Sequence, residues 1–140
     1  MARFGPPALA ALVVWTLLTW TTRLPLAWGD ADLDLPGKLE ATVPVVVFVG
    51  VAAATAVAGW RRSTMVGRVG AALAGWSIAY WAVRLPLILG HDHPGAFKAV
   101  HAGLAAVAVG LSTATLVALN RAARRTVSRA RPAPEPAARG

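Results

Sequence analysis

A chain of 140 residues with 56% hydrophobic and 14% charged residues, a mean hydropathy of +0.56 and a net charge of +8 is too apolar for a water-soluble domain, in which about 25% of residues are charged. Cysteine is absent, which excludes disulfides, thiolate metal sites and a cysteine nucleophile. The apolar residues gather into four blocks, and an uncharged block of about 18 or more residues spans a hydrocarbon core about 30 Å thick.

In chain order, the first predicted span covers 7–28 and is interrupted by Arg23. It is longer than the apolar region of a signal peptide, about 7–15 residues, and it carries Trp15, Trp20 and Arg23. It therefore reads as a permanent helix. An acidic loop with Asp30, Asp32, Asp34 and Glu40 leads to a second span, 41–60, without a charge. The third, 65–89, has Arg68 near its start and Arg84 near its end, and the fourth covers 97–119. Together they make one transmembrane domain, 1–120. The remainder, 121–140, is basic and Pro-Ala-Arg-rich and reads as a disordered tail.

Positive residues are retained on the cytoplasmic side of a membrane, and here they segregate. Arg3, then Arg61, Arg62 and Arg68, then Arg121, Arg124, Arg125, Arg129, Arg131 and Arg139 share one side, whereas the other holds the acidic loop and Asp92 with only Lys38 and Lys98 as cations. Both termini are expected in the cytoplasm. The net charge thus serves topology and contact with anionic lipid headgroups, and no nucleic-acid partner is expected.

Residues 15–29 (WTLLTWTTRLPLAWG) align with 76–90 (WSIAYWAVRLPLILG) at an offset of 61, with identities Trp15/Trp76, Trp20/Trp81, Arg23/Arg84, Leu24/Leu85, Pro25/Pro86, Leu26/Leu87 and Gly29/Gly90. In the helices that follow the offset is 60 and the match is weaker: Lys38/Lys98, Gly50/Gly110, Ala54/Ala114, Thr55/Thr115 and Arg61/Arg121. The fold class expected is an all-α membrane protein of four transmembrane helices, a tandem repeat of a two-helix hairpin over about 7–62 and 67–125. With two spans per unit the repeat is parallel, its pseudo-twofold axis along the membrane normal.

Small residues at every fourth position let helices approach closely in lipid. Gly50, Ala54 and Ala58 in the second helix and Ala106, Gly110 and Ala114 in the fourth form such stripes, as do Gly67, Ala71, Gly75 and Ala79 in the third. They are expected to pack helices within a bundle or between two bundles. Gly67 and Gly70 also read as close packing.

The W-x4-W-x2-R-L-P motif is the candidate ligand site, because an arginine inside a span is costly unless it snorkels, pairs or faces water. At about 100° per residue Arg23 lies between Trp15 and Trp20 in helical projection, and Trp20 is near enough for a cation–π contact. Trp76, Trp81 and Arg84 repeat the pattern. Pro25 and Pro86 lack an N–H and free the carbonyls of Thr21 and Ala82, so each helix is expected to kink or end there. Two readings stay open. Arg23 and Arg84 bind an outer-leaflet anion such as a lipid phosphate, or the arginines snorkel, or pair with the acidic loop, while the tryptophans form an interfacial belt.

His91, His93 and His101 are weak candidate metal ligands beside Asp92, since imidazole suits zinc, copper or haem iron; their spacing is not that of a known site, and no metal or cofactor is expected. No serine–histidine–acid arrangement or nucleotide-binding glycine motif is present, so no catalytic residue is assigned.

The segment from Trp76-Ser77 through Trp81 and Asp92 to Val100-His101-x2-Leu104-Ala105 resembles a family of very small actinobacterial membrane proteins with a W-S-x3-W helix, a polar loop and a V-H-x2-L-A helix. The resemblance covers about 45 residues of the second hairpin. It implies a hairpin as the folding unit and a bacterial plasma membrane, and no activity. The expected function is that of a non-enzymatic structural or accessory membrane component, alone as a homo-oligomer or within a larger complex; the alternative is a lipid- or anion-binding or transport module built on the repeated motif.

Overall fold

The computed structural model describes residues 5–130, all of whose regular structure is helical: α1 (Pro7–Thr21), α2 (Arg23–Gly29), α3 (Leu35–Trp60), α4 (Val66–Gly90) and α5 (Gly95–Ala130). Four helices are long and apolar enough to cross a membrane: Pro7–Gly29, which comprises α1 and α2, then Leu35–Trp60, Val66–Gly90 and Gly95–Thr126. At about 1.5 Å per residue even the first of these exceeds a hydrocarbon core of about 30 Å.

Local chemistry explains the helix ends. α1 starts with a proline in its first turn, where the missing N–H costs nothing. α3 starts at Leu35, earlier than the uncharged block at 41–60 suggests, because Asp34 Oδ1 accepts from Gly37 N at 2.9 Å and Pro36 occupies the first turn. Its other end closes with Ser63 N donating to Ala58 O at 2.9 Å and Arg62 in the left-handed region at φ 51°. Lys98, in the first turn of α5, donates to the carbonyl of Leu89 at 2.9 Å and so satisfies an otherwise open end of α4. α5 continues to Ala130, so residues 121–130, expected as part of a disordered tail, are helical. Ala and Arg are good helix formers, and a helix already anchored by its packed half extends without a new nucleation step. The rest of that tail, 131–140, lies outside the described residues, as does Arg3.

The two proline motifs behave differently. Helix geometry is interrupted at Thr22, three residues before Pro25, whereas Pro86 sits within an unbroken α4 and Pro44 within an unbroken α3. Two consecutive back-bonding threonines precede Pro25, against one before Pro44, where Thr42 Oγ1 donates to Lys38 O at 2.8 Å, and none before Pro86. Thr21 Oγ1 donates to Leu17 O at 2.6 Å and Thr22 Oγ1 to Leu18 O at 2.9 Å; such back-bonds bend a helix and add to the effect of the proline ring. The aligned residues before Pro86 are Ala82 and Val83, which make no such bonds. The expected break is thus found at the first motif only.

The helices form an up-and-down bundle in which α1 packs on α3 and α5, and α4 packs on α3 and α5. Only 22–28% of each span's most apolar window is buried against other helices; the remaining apolar surface, with Leu18, Leu26, Val46 and Val83 among its most exposed members, is suited to an apolar surrounding such as lipid. Leu9, Leu12, Val13, Trp20, Val45, Phe48, Ala52, Leu73 and Ala74 fill the larger core, and Trp81, Ala105 and Ala108 a smaller one. Aligned residues are buried together: Leu12 with Leu73, Val13 with Ala74, Thr16 with Ser77 and Trp20 with Trp81 at the offset of 61, then Val45 with Ala105, Phe48 with Ala108, Ala52 with Ser112 and Thr55 with Thr115 at the offset of 60.

The small-residue stripes do not serve the bundle interior. Gly50, Ala54, Ala106, Gly110 and Ala114 are exposed, as are Gly75 and Ala79, and Ala58 is only half-buried. Their spacing puts them on one face, but the burial alternation puts that face outward. Gly70 is the close approach: a Cβ there would lie 2.8 Å from Leu9 Cδ1, whereas at Gly67 and Gly75 it would meet nothing within 4 Å. Thermal unfolding in detergent checks this contrast. Gly75→Ala is expected to hold or raise stability through helix propensity, by about 0.5–1 kcal/mol. Gly70→Ala is expected to lower it by up to about 1–3 kcal/mol, as overpacking does in a filled core.

Candidate functional site

The residues of the repeated Trp-Arg-Pro motif do not form one pocket. Trp20 and Trp81 are core residues, 3% and 4% exposed, rather than members of an interfacial belt. Exposed tryptophans near span ends are instead Trp28, at the end of α2, and Trp60, the last residue of α3. Both motif rings face inward because they share a face with Leu12 and Val13, or with Leu73 and Ala74, at seven- and eight-residue spacings.

Trp20 anchors an aromatic cluster across three helices. It stacks on Phe48 of α3 at 4.2 Å and an interplanar angle of 8°, and Tyr80 of α4 meets both rings edge-on at 5.2 Å. Offset-stacked and edge-to-face pairs each contribute about 0.5–1.5 kcal/mol beyond burial. Trp81 reaches Tyr80 at 5.8 Å. Trp15 is half-buried and packs against the Trp81–Ala105–Ala108 cluster, whereas Trp76 is 45% exposed and approaches Phe48 at 6.2 Å.

Arg23 starts α2 and turns inward. Its Cζ lies 5.7 Å from the Trp20 ring centroid, the cation–π contact expected from their spacing, and its Nη2 lies 2.9 Å from Nε2 of His101 on α5. The tautomer follows from the second imidazole nitrogen. Nδ1 of His101 is 2.8 Å from the Phe97 carbonyl, which can only accept, so Nδ1 donates and Nε2 offers its lone pair to the guanidinium. His101 is 6% exposed, and the Phe97 ring covers it at a centroid distance of 4.0 Å. A charge-assisted hydrogen bond thus joins the first predicted hairpin to the second. Sequence reading missed this pairing, because Arg23 and His101 are 78 residues apart and neither repeat alignment nor helical projection brings them together.

Arg84 occupies the aligned position and does otherwise. It is exposed on α4, as are its neighbours Val83 and Leu87 at 66% and 48%. At the offset of 60 the residue aligned with His101 is Ala41, so the imidazole acceptor has no counterpart in the other half. Nor does the acidic loop pair with Arg23: Asp30 Oδ1 accepts from Asp32 N at 2.9 Å, and Asp34 caps α3.

The histidines are not convergent. His101 uses both nitrogens as described. His91 Nδ1 donates to the Leu87 carbonyl at 2.6 Å, and the His91 and His93 rings are 6.2 Å apart, with His93 against Phe97 at 4.7 Å. Among the described residues no group of three or more metal-ligating side chains comes together. The interior further holds the hydroxyls of Thr16, Thr55, Ser77, Ser112 and Thr115. Thr55 bonds back to Val51 O at 2.8 Å.

If Arg23 and His101 act as a pair, their losses will not add. Arg23→Gln and His101→Ala are each expected to destabilise the bundle by about 1.5–3 kcal/mol, the range for hydrogen bonds to charged groups, and the double variant is expected to lose little more than either alone. Arg84→Gln is expected to change stability by less than about 0.5 kcal/mol, as exposed substitutions do. Unfolding of the wild type and these four variants in one detergent measures the cycle and its control.

Compared with known protein families, characterised proteins and solved structures, the chain shows no match.

Proposed function

We propose that this chain is a non-enzymatic, multi-pass component of a bacterial plasma membrane that acts as a structural or accessory partner, as a homo-oligomer or in a larger membrane complex. In this reading the bundle is a parallel tandem repeat of two hairpins with both termini in the cytoplasm. The observation that carries it is the use of Arg23: the charged motif residue drawn into the bundle is spent on binding one helix to another, through His101 and Trp20. Outward-facing Gly50 and Ala54, with Ala106, Gly110 and Ala114, support association, because small residues on a lipid-facing surface let a neighbouring helix approach closely. The repeat is supported by the aligned pairs that are buried together, and the orientation by the segregation of arginines.

A second reading, a lipid- or anion-binding module, is favoured by one observation: Arg84 is exposed beside lipid-facing Val83 and Leu87 within a span.

Two measurements test the first reading. The chain has no cysteine, so single cysteines report sidedness cleanly. Asp32→Cys is expected to react with an impermeant maleimide added to intact cells and Ser63→Cys only after permeabilisation; the reverse would overturn the orientation. Native mass spectrometry from mild detergent is expected to show the chain bound to further copies or to another membrane protein, and a bare monomer would count against the accessory role.

A further inference from the structure

The two halves of the bundle carry aligned rows of side chains, one where α1 meets α5 and one where α3 meets α4, whose arginines meet different surroundings. Between α1 and α5, the row Trp15, Thr19 and Arg23 ends on His101, which takes the guanidinium. Between α3 and α4, the aligned row is Trp76, Tyr80 and Arg84, at i, i+4 and i+8 along one face of α4. It rises about 12 Å from Trp76 to Arg84. Phe48 of α3 lies behind it, 6.2 Å from Trp76 and 5.2 Å from Tyr80. Where the first row has an imidazole, the alignment gives this one the methyl group of Ala41, and Arg84 is exposed where Arg23 is half-buried.

We infer that the row where α3 meets α4 holds an anionic lipid, its phosphate on Arg84 and an acyl chain along Tyr80 and Trp76. This inference rests on the lipid-binding reading above and assigns it to one half of the molecule. Three features select this occupant. A guanidinium presents a fork of donors that matches phosphate oxygens, and the low dielectric at the edge of the hydrocarbon strengthens that contact. The flanking Val83 and Leu87 are turned to lipid, so the charge is approached from the bilayer. Below it, Trp76 offers a half-exposed aromatic surface at acyl-chain depth, supported from behind by Phe48. The leaflet is the one next to the 30–34 and 91–94 loops. Arg23 is not a second site, because one edge of its guanidinium is already engaged by His101.

Native mass spectrometry of the full chain in mild detergent supplemented with phosphatidylglycerol or with phosphatidylcholine tests the assignment. The wild type is expected to retain phosphatidylglycerol in preference to phosphatidylcholine. Arg84→Gln is expected to lower retention about tenfold, which corresponds to about 1.4 kcal/mol. Ala41→His, which places an imidazole at the position aligned with His101, is expected to lower it in the same direction. Arg23→Gln is expected to retain lipid as the wild type does while melting earlier. Unchanged retention in Arg84→Gln would overturn the inference. In that case loss from Arg23→Gln would leave the lipid-binding reading standing at the other arginine, and retention by both variants would remove that reading as well. Equal retention of the two lipids, or displacement of phosphatidylglycerol from the wild type by millimolar inorganic phosphate, would overturn the anionic-lipid assignment.

Discussion

The guanidinium of Arg23 lies in a span whose surroundings offer almost no polar partner, and the fold answers by bringing an imidazole to it from the last helix. That bond constrains more than two side chains. It requires α1 and α5 to be neighbours, requires His101 to donate from Nδ1 to the Phe97 carbonyl, and places the first turns of α5 against the α1–α2 junction. The Trp20 ring supplies a second support for the cation and extends it into the Phe48–Tyr80 cluster, so the polar contact and the aromatic core are continuous.

Elsewhere the bundle is organised by what lipid does and does not supply. Hydrocarbon cannot drive helices together by excluding water, so packing and polar contacts take over. Inside, Trp20 stacks on Phe48 and Leu9 fits against the buried Gly70, while Gly50, Ala54, Ala106, Gly110 and Ala114 face out. Some hydroxyls inside the spans turn to nearby backbone carbonyls, as those of Thr21, Thr22 and Thr55 do, whereas the buried hydroxyls of Ser112 and Thr115 have no partner among the described residues. The consecutive bonds of Thr21 and Thr22, added to Pro25, interrupt the first span where Pro86 leaves α4 continuous.

The two halves share a burial pattern at the aligned pairs, and a few of the side chains in which they differ carry the functional argument. Arg23 meets His101, whereas Arg84 is exposed and the residue aligned with His101 is Ala41. Thr21 and Thr22 against Ala82 and Val83 decide whether the helix is broken.

The amino-acid sequence alone determined that four apolar helices exist, approximately where they lie, and that Trp20 and Arg23 are close, because hydropathy, length and i, i+3 spacing are local properties. It also marked His101 and Arg23 as unusual without connecting them. Three matters were left to the tertiary structure. The direction in which each helix face points is set by the neighbours it meets, so Gly50, Ala54 and Gly110 read as packing residues and are exposed. The extent of α5 beyond the span depends on an anchored helix continuing into a basic stretch whose composition alone suggests disorder. The Arg23–His101 bond depends on helices distant in the chain becoming adjacent in the bundle; no spacing rule reaches across 78 residues, and only the packing of α1 on α5 brings donor and acceptor to 2.9 Å.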